Sequence, residues 1–226
     1  MTFLELANRL LSEADISGQG LITTANQQGE YKQAIDYINT AYADIQLQHT
    51  NWDFLRGDLS FNTIVNVNNY SETSISLSDL SEWSPESMRI YLTANGIVTE
   101  QYLIPVEWDE FRDLFMFGNN RTQTGFPTHF TVKPADNSLV FYPIPDNIYT
   151  VEGEYYKDPY VLVNDTDTPI FQNRFHMIVV WRALMYFATQ LNAQELYAIG
   201  NIEYRKILFK LEQFALPKPT TAEELA

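Results

Sequence analysis

Cysteine is absent from the 226 residues. That excludes disulfides, iron–sulfur clusters, thiol catalysis and cysteine-ligated zinc. Basic residues are scarce: 14 Lys and Arg stand against 29 Asp and Glu, a formal net charge of −15. Phosphate recognition needs clustered cations, so the balance argues against a nucleic-acid reader, and equally against binding to an anionic membrane surface. Histidine occurs only as His49, His129 and His176, no two of them at metal-ligand spacing. The sequence has no Gly-x-Ser-x-Gly elbow, no phosphate loop and no dinucleotide fingerprint. Its nine glycines are few for an enzyme of phosphorylated cofactors. Long apolar runs are missing too: the most apolar stretch, 177–188, carries Arg182 and is too short to span a bilayer. Residues 2–11 are interrupted by Glu5 and Arg9 and do not read as an export signal. The sequons at Asn69, Asn120 and Asn164 then read as chance.

What is present is apolar and aromatic. Hydrophobic residues make up 45% of the chain and aromatics 14%, against 19% charged, which is enough to build an ordered core. Thr2 and Glu5 have capping-box spacing, and Phe3, Leu6, Ala7, Leu10 and Leu11 follow on one face of a short helix. From Glu30 to His49 the apolar residues recur every three or four positions, predicting a helix of about 30 Å. Between Arg56 and Tyr160 the period shifts toward two. Strands are expected over 59–65, 89–93, 98–104, 129–132, 139–142 and 149–156, with a hairpin turn at Asn95-Gly96 and a helix over 106–117. Helical spacing returns from Phe171 to Ala188, after caps at Asp165–Thr168 and a proline at 169. A second capping-box spacing, Asn192 and Glu195, predicts the start of a last helix, which Pro217 and Pro219 forbid from continuing.

This order predicts an α+β fold. Helices of segments 1–56 and 161–214 would form a bundle core, with a small antiparallel β sandwich or sheet inserted over 57–160 and an extended tail over 215–226. The expected bundle core is Ile35, Ile38, Tyr42 and Ile45 against Ile178, Met185, Ile207 and Leu211.

Charge is uneven. Residues 1–54 hold 2 basic and 7 acidic groups, residues 55–160 hold 6 and 15, and residues 161–226 hold 6 and 7. Arg205, Lys206 and Lys210 sit toward the end of the last helix, where its dipole favours cations; they read either as dipole compensation or as a patch for an acidic partner. Asp165 and Asp167 lack the glycine and distal glutamate of a calcium loop and read as caps. Asp109, Glu110 and Asp113 read as a solvated helix face, and Tyr142, Tyr155 and Tyr156 as packing on a sheet. No catalytic residue, metal or cofactor is expected.

Two clusters of residues carry a resemblance. Gly29-Glu30 leads into a helix containing Asn39-Thr40-Ala41-Tyr42-Ala43-Asp44-Ile45-Gln46, followed by Trp52-Asp53-Phe54-Leu55-Arg56. Later, Tyr155-Tyr156-Lys157-Asp158-Pro159 closes the β region, and Thr168-Pro169 and Phe175-His176 lead into Val179-Val180-Trp181-Arg182-Ala183-Leu184. Over 1–56 and 155–216 the chain resembles the head-to-tail adaptor, or connector, proteins of tailed bacteriophages. The resemblance implies a non-enzymatic structural protein of the virion neck, assembled in the host cytoplasm. It implies a ring, usually of twelve copies, between the portal and a downstream tail or nozzle protein, with DNA passing through the lumen unbound. It also implies that the C-terminal segment reaches the portal. The residues expected there are Arg205, Lys206, Lys210, Leu216, Pro217, Lys218 and Leu225, with 221–226 forming a turn on docking. An acidic lumen would let the genome slide. Two other readings stay open: a carbohydrate-binding or hydrolytic tail component using the β insert, and a soluble scaffold of unknown partner.

Overall fold

A computed structural model describes residues 1–16, 18 and 20–217. The protein has an α+β fold, and the chain divides into two compact units. One is Met1–Leu55 together with the chain from Pro159 onward; the other is Arg56–Asp158.

The helical unit begins with α1 (Phe3–Glu13), started by the Thr2–Glu5 capping box and buried along Phe3, Leu6, Ala7, Leu10 and Leu11. α2 (Gly29–Leu47) buries Ala34, Ile38, Ala41, Tyr42, Ile45 and Gln46. The two small alanines on this face allow close approach. α4 (Met177–Gln190) is apolar nearly all round, as a central helix must be; it packs against α1, α2 and α5 (Gln194–Ala215). Where α4 meets α5 the contact is tight. A methyl group on Gly200 would lie 3.1 Å from both Met185 Cγ and the Trp181 carbonyl oxygen.

Two boundaries differ from the sequence expectation. Helix was expected from about Phe171, but α4 starts at Met177, after a 3-10 turn over Asn173–Phe175. The Ile170 N–H donates to the Tyr42 hydroxyl at 2.9 Å, so the segment after Pro169 is held against α2 instead of winding into helix. Asn192 was expected to cap α5. It instead closes α4 in the left-handed conformation, φ 54°, while the Ala193 N–H returns to the Ala188 carbonyl at 2.9 Å. A residue spent on ending one helix is not available to cap the next.

The β unit holds two four-stranded sheets. In the first, β10 (Tyr149–Lys157) lies between β1 (Arg56–Asn62) and β3 (Leu80–Leu92), with β4 (Gln101–Tyr102) at the edge; all pairs are antiparallel. In the second the order is β2 (Asn69–Tyr70), β8 (Ser138–Tyr142), β7 (His129–Lys133), β5 (Ile104–Pro105). The β5–β7 pair is parallel, as is a separate two-stranded pair of β6 (Thr124–Gly125) and β9 (Ile144–Pro145), so the insert is not purely antiparallel. Leu59, Ile90 and Val151 from one sheet share a core with Phe130, Leu139 and Phe141 from the other. α3 (Trp108–Phe115) packs on β7.

The first half of β3 and the 3-10 turn over Gly96–Thr99 were not expected. Pro85 interrupts alternation and removes a donor. The strand bulges there: Glu152 pairs with Arg89 but Glu154 with Ser84. The Ser87 hydroxyl fills the gap by accepting the Glu154 N–H at 2.7 Å and donating to the Ser84 carbonyl at 2.7 Å.

Candidate functional site

Three places bear on function: the polar side chains that tie the helical unit together, the outward face and end of α5, and a groove in the β unit.

The tie is made from α2. Gln46 is buried; its amide donates to the Tyr160 carbonyl at 2.9 Å and accepts the Tyr160 N–H at 2.8 Å. Two turns earlier, Asn39 does the same to Leu162, donating at 3.0 Å and accepting at 3.1 Å. Each amide thus takes the place of a neighbouring strand for the returning chain. Tyr42 receives the Ile170 N–H, and burial pushes its phenol up to about 12. The Asp44 carboxylate accepts from the Arg182 guanidinium at 3.0 Å and from the Tyr186 hydroxyl, joining α2 to α4. Trp52, fully buried, donates its indole N–H to the Ile45 carbonyl at 3.1 Å. Asn39, Tyr42, Asp44 and Gln46 are therefore structural ties within the helical unit. Their signal in the sequence was polar residues placed beside the apolar stripe of a long helix.

Of the residues expected in the bundle core, Ile38, Tyr42, Ile45, Ile178, Met185 and Leu211 are buried. Ile35 and Ile207 are half-buried. α2 is turned so that Ala34 takes the inward position beside Ile35, and α5 so that Gly200, Tyr204 and Leu211 face inward.

Ile199, Ile202, Lys206 and Phe209 follow helical spacing on the opposite side of α5 from Gly200, Tyr204 and Leu211. The three apolar members are 50%, 54% and 60% exposed. Arg205 and Lys210 flank this face and are exposed, while Lys206 pairs with Glu203 at 2.5 Å. At the end of α5 the Arg174 guanidinium stacks over Phe214 at 4.3 Å and Phe175 at 4.6 Å, with Lys210 and Ile207 completing a small cleft. Leu216, half-buried, ends α5 and Pro217 is exposed; Lys218, Leu225 and the turn expected over 221–226 lie outside the described residues.

The groove of the β unit has a volume of about 890 Å³. Glu82 and Glu86 come from β3, Glu107 and Glu110 from the start of α3; all four are exposed. Trp108 and Phe115 supply aromatic walls. Phe130 and Thr131 of β7 are buried beneath. The sequence reading missed this groove because its residues come from three separate segments, 82–86, 104–115 and 129–137.

The histidines sit apart. His49 contacts Glu212 at 3.0 Å and the Trp52 ring edge; His129 contacts the Thr128 hydroxyl at 2.9 Å and packs on Phe115. His176 is buried with Nε2 2.9 Å from the Phe171 carbonyl, and burial lowers its pKa. Asp165 accepts the Thr24 N–H and hydroxyl at 2.7 and 2.6 Å; Asp167 accepts the Val163 and Asn164 N–H groups, each at 2.8 Å. These bonds hold both carboxyls below the usual carboxylate range. Asp109 and Asp113 pair with Arg112 on the outside of α3. Among the described residues no three His, Asp or Glu side chains are grouped so as to hold a metal ion. Among the same residues no helix is long and apolar enough to cross a membrane.

The helical unit thus presents an exposed apolar helix face, and the β unit an open groove. A family profile for the SU10 adaptor protein matches residues 1–207, and the chain belongs to that family of bacteriophage structural adaptors. No curated protein sequence matches the chain.

Proposed function

We propose that the protein forms a ring in the virion neck that joins the portal to the tail and continues the DNA channel. Membership of an adaptor family over residues 1–207 carries this reading. The outward face of α5 supports it: three large apolar side chains between cations are what a partner surface needs and what an isolated helix has no use for. The α5 face and the cleft around Arg174 are the proposed portal contact, extended by Leu216, Pro217, Lys218 and Leu225. Copies around a closed ring, with twelve as the expected number, would use heterologous contacts. A downstream tail or nozzle protein would bind the opposite side. The lumen would be lined by the acidic first two thirds of the chain, so that DNA passes without being held. Assembly would take place in the host cytoplasm.

The test is electron microscopy and co-sedimentation of the protein mixed with its portal, for the full chain and for a chain truncated after Ala215. Rings on the portal for the full chain, and weakened binding for the truncated one, are expected. If the full chain forms no ring with or on the portal, the reading is wrong. If the truncated chain binds with unchanged affinity, the C-terminal contact is wrong.

A further inference from the structure

The groove of the β unit has a chemistry that the adaptor reading does not use. Strand alternation sets its floor: Phe130 points into the shared core, while His129 and Thr131 point to the other face, where the His129 ring meets Phe115 of α3. Thr131 is only 2% exposed and lines the groove. Its hydroxyl is buried without a hydrogen-bond partner among the described residues. A hydroxyl so placed costs free energy unless something supplies a partner.

The walls say what that something is. Glu82, Glu86, Glu107 and Glu110 are in no ion pair, and no Lys or Arg lines the groove, among the described residues. The nearest cations in sequence are already engaged, Arg89 with Glu100, Arg112 with Asp109 and Asp113, and Lys133 with Asp136. The groove therefore attracts positive charge. Trp108 and Phe115 add aromatic surface on which a guanidinium stacks better than an ammonium.

The backbone says what shape it has. β5 pairs with β7 only at His129 and Phe130, so the edge of β7 beyond Phe130 is not covered by a strand, and Thr131, Val132 and Pro134 of this stretch line the groove. An uncovered strand edge is a template for another extended chain.

We propose that this groove binds an extended, arginine-bearing polypeptide segment of a partner protein. The segment lies along the open edge of β7. Its guanidinium groups reach the four glutamates and stack on Trp108 and Phe115, and a polar group of the segment meets the Thr131 hydroxyl. A single copy of this chain contains every residue used, so the proposal stands or falls separately from the ring.

The test is calorimetric titration of the full protein with a short synthetic peptide alternating arginine with threonine. The control peptide carries glutamate for arginine, and a set of neutral oligosaccharides covers glycan recognition. Binding of the arginine peptide alone is expected, weakening as salt rises. The double variant Glu107→Gln, Glu110→Gln should lose affinity by about tenfold, the effect of removing two partly exposed ion pairs. Thr131→Val should weaken binding by about threefold to tenfold, one hydrogen bond's worth. Melting temperatures no lower than that of the unsubstituted protein, and higher for Thr131→Val, would show that the fold is intact. The proposal is overturned if the arginine peptide does not bind, if the glutamate peptide binds equally well, or if the glutamine substitutions leave affinity unchanged. It is also overturned if the oligosaccharides bind in its place.

Discussion

The two units solve the same problem, fixing distant parts of one chain together, by opposite means. In the β unit the work is done by main-chain ladders and a shared apolar core: β10 is paired along both edges, and Leu59, Val151, Phe130 and Phe141 meet between the sheets. In the helical unit no ladder is available, since each helix satisfies its own backbone. Side chains of α2 instead act as backbone surrogates. Asn39 and Gln46 offer one donor and one acceptor each to Leu162 and Tyr160, and Tyr42 and Asp44 reach Ile170 and Arg182. The difference teaches where sequence identity matters. A sheet position asks for a side chain of the right polarity and bulk. A surrogate position asks for one residue type, because only a carboxamide presents both a donor and an acceptor in the geometry of a peptide group. The same contrast runs to the surfaces: the helical unit ends in a cleft of Arg174, Lys210 and Phe214, the β unit in a groove of four glutamates.

The largest effects should come from core truncation, and they should be alike in both units. Trp52→Ala in the helical unit and Phe130→Ala in the β unit are each expected to cost about 3–5 kcal/mol, and Ile38→Ala about 2–5 kcal/mol, in urea unfolding. Both aromatic rings are fully buried, as is Ile38. A loss below about 1 kcal/mol at any of them would mean that the site collapses around the cavity at little cost.

The next effect separates the units. Gln46→Leu keeps roughly the volume but leaves the Tyr160 N–H and carbonyl without their partner. The expected cost is about 1–3 kcal/mol, since the Tyr160 groups are only part-buried and water can replace some of what the amide supplied. Gln46→Glu keeps an acceptor and loses the donor, so it should recover part of the loss at low pH, where the carboxyl is protonated. If Gln46→Leu costs no more than a surface substitution, the surrogate account of the helical unit is wrong.

Legibility follows from the same contrast. The capping box of α1, the apolar face of α2 and strands such as β7 and β8 lie in continuous stretches of sequence; cap spacing and helical period identify the helices, and runs of β-branched and aromatic residues the strands. The start of α4 was misread because a tertiary bond from Tyr42 overrides the local cap at Pro169. The first half of β3 was hidden by Pro85, whose bulge is repaired by a hydroxyl from Ser87. The roles of Asn39 and Gln46 were visible only as polar residues beside an apolar stripe. The groove was invisible, because Glu82, Glu110 and Thr131 come together only when β3, α3 and β7 do.

Backbone crowding provides a smaller test in each unit. A methyl group on Gly153 would sit 2.6 Å from Met88 Sδ and 3.4 Å from Met88 Cα, in the bulge opposite β3. Gly153→Ala should cost about 1–3 kcal/mol as the buried Met88 side chain shifts to admit it. Gly200→Ala meets Met185 and the Trp181 carbonyl but gains helix propensity of about 1 kcal/mol, so its net cost should be smaller. Thermal unfolding of the two variants side by side checks the order.

Alkaline pH gives a graded comparison. Burial pushes Tyr42 in the helical unit up to about 12, and burial with hydrogen bonds to Asp146 and Asp79 pushes Tyr149 and Tyr155 in the β unit to the same level. In the unfolded chain these phenols lose their protons near 10, while the folded chain still holds them. The stability they contribute is therefore complete below pH 10 and is lost as pH rises from 10 toward 12. Tyr155→Phe should flatten part of this decline, and urea unfolding followed at rising pH would read it. A decline of equal slope in the variant would mean that Tyr155 is not among the groups responsible.

The smallest expected effect on stability is at the α5 face, and it is the one that separates folding from assembly. Arg205 and Lys206 are exposed, and the pair of Lys206 with Glu203 is a surface ion pair, worth at most about 1 kcal/mol and less in salt. Reversing both charges, Arg205→Glu with Lys206→Glu, sets an acid at position 206 against Glu203 three residues earlier, an unfavourable arrangement of about 0.2–0.5 kcal/mol. Neither position is in the last turn of α5, which ends at Ala215, so the helix dipole contributes little. The folded subunit should therefore lose no more than about 1 kcal/mol in urea unfolding, a fraction of the Gln46→Leu loss. Portal binding should respond quite differently. If Ile199, Ile202 and Phe209 are covered by an acidic partner, the reversed charges lie at the rim of that contact and slow association, most strongly at low salt. A variant that is stable and binds portal at the wild-type rate would remove the α5 face from the contact. One that unfolds as readily as Gln46→Leu would show instead that this face is bound within the subunit itself.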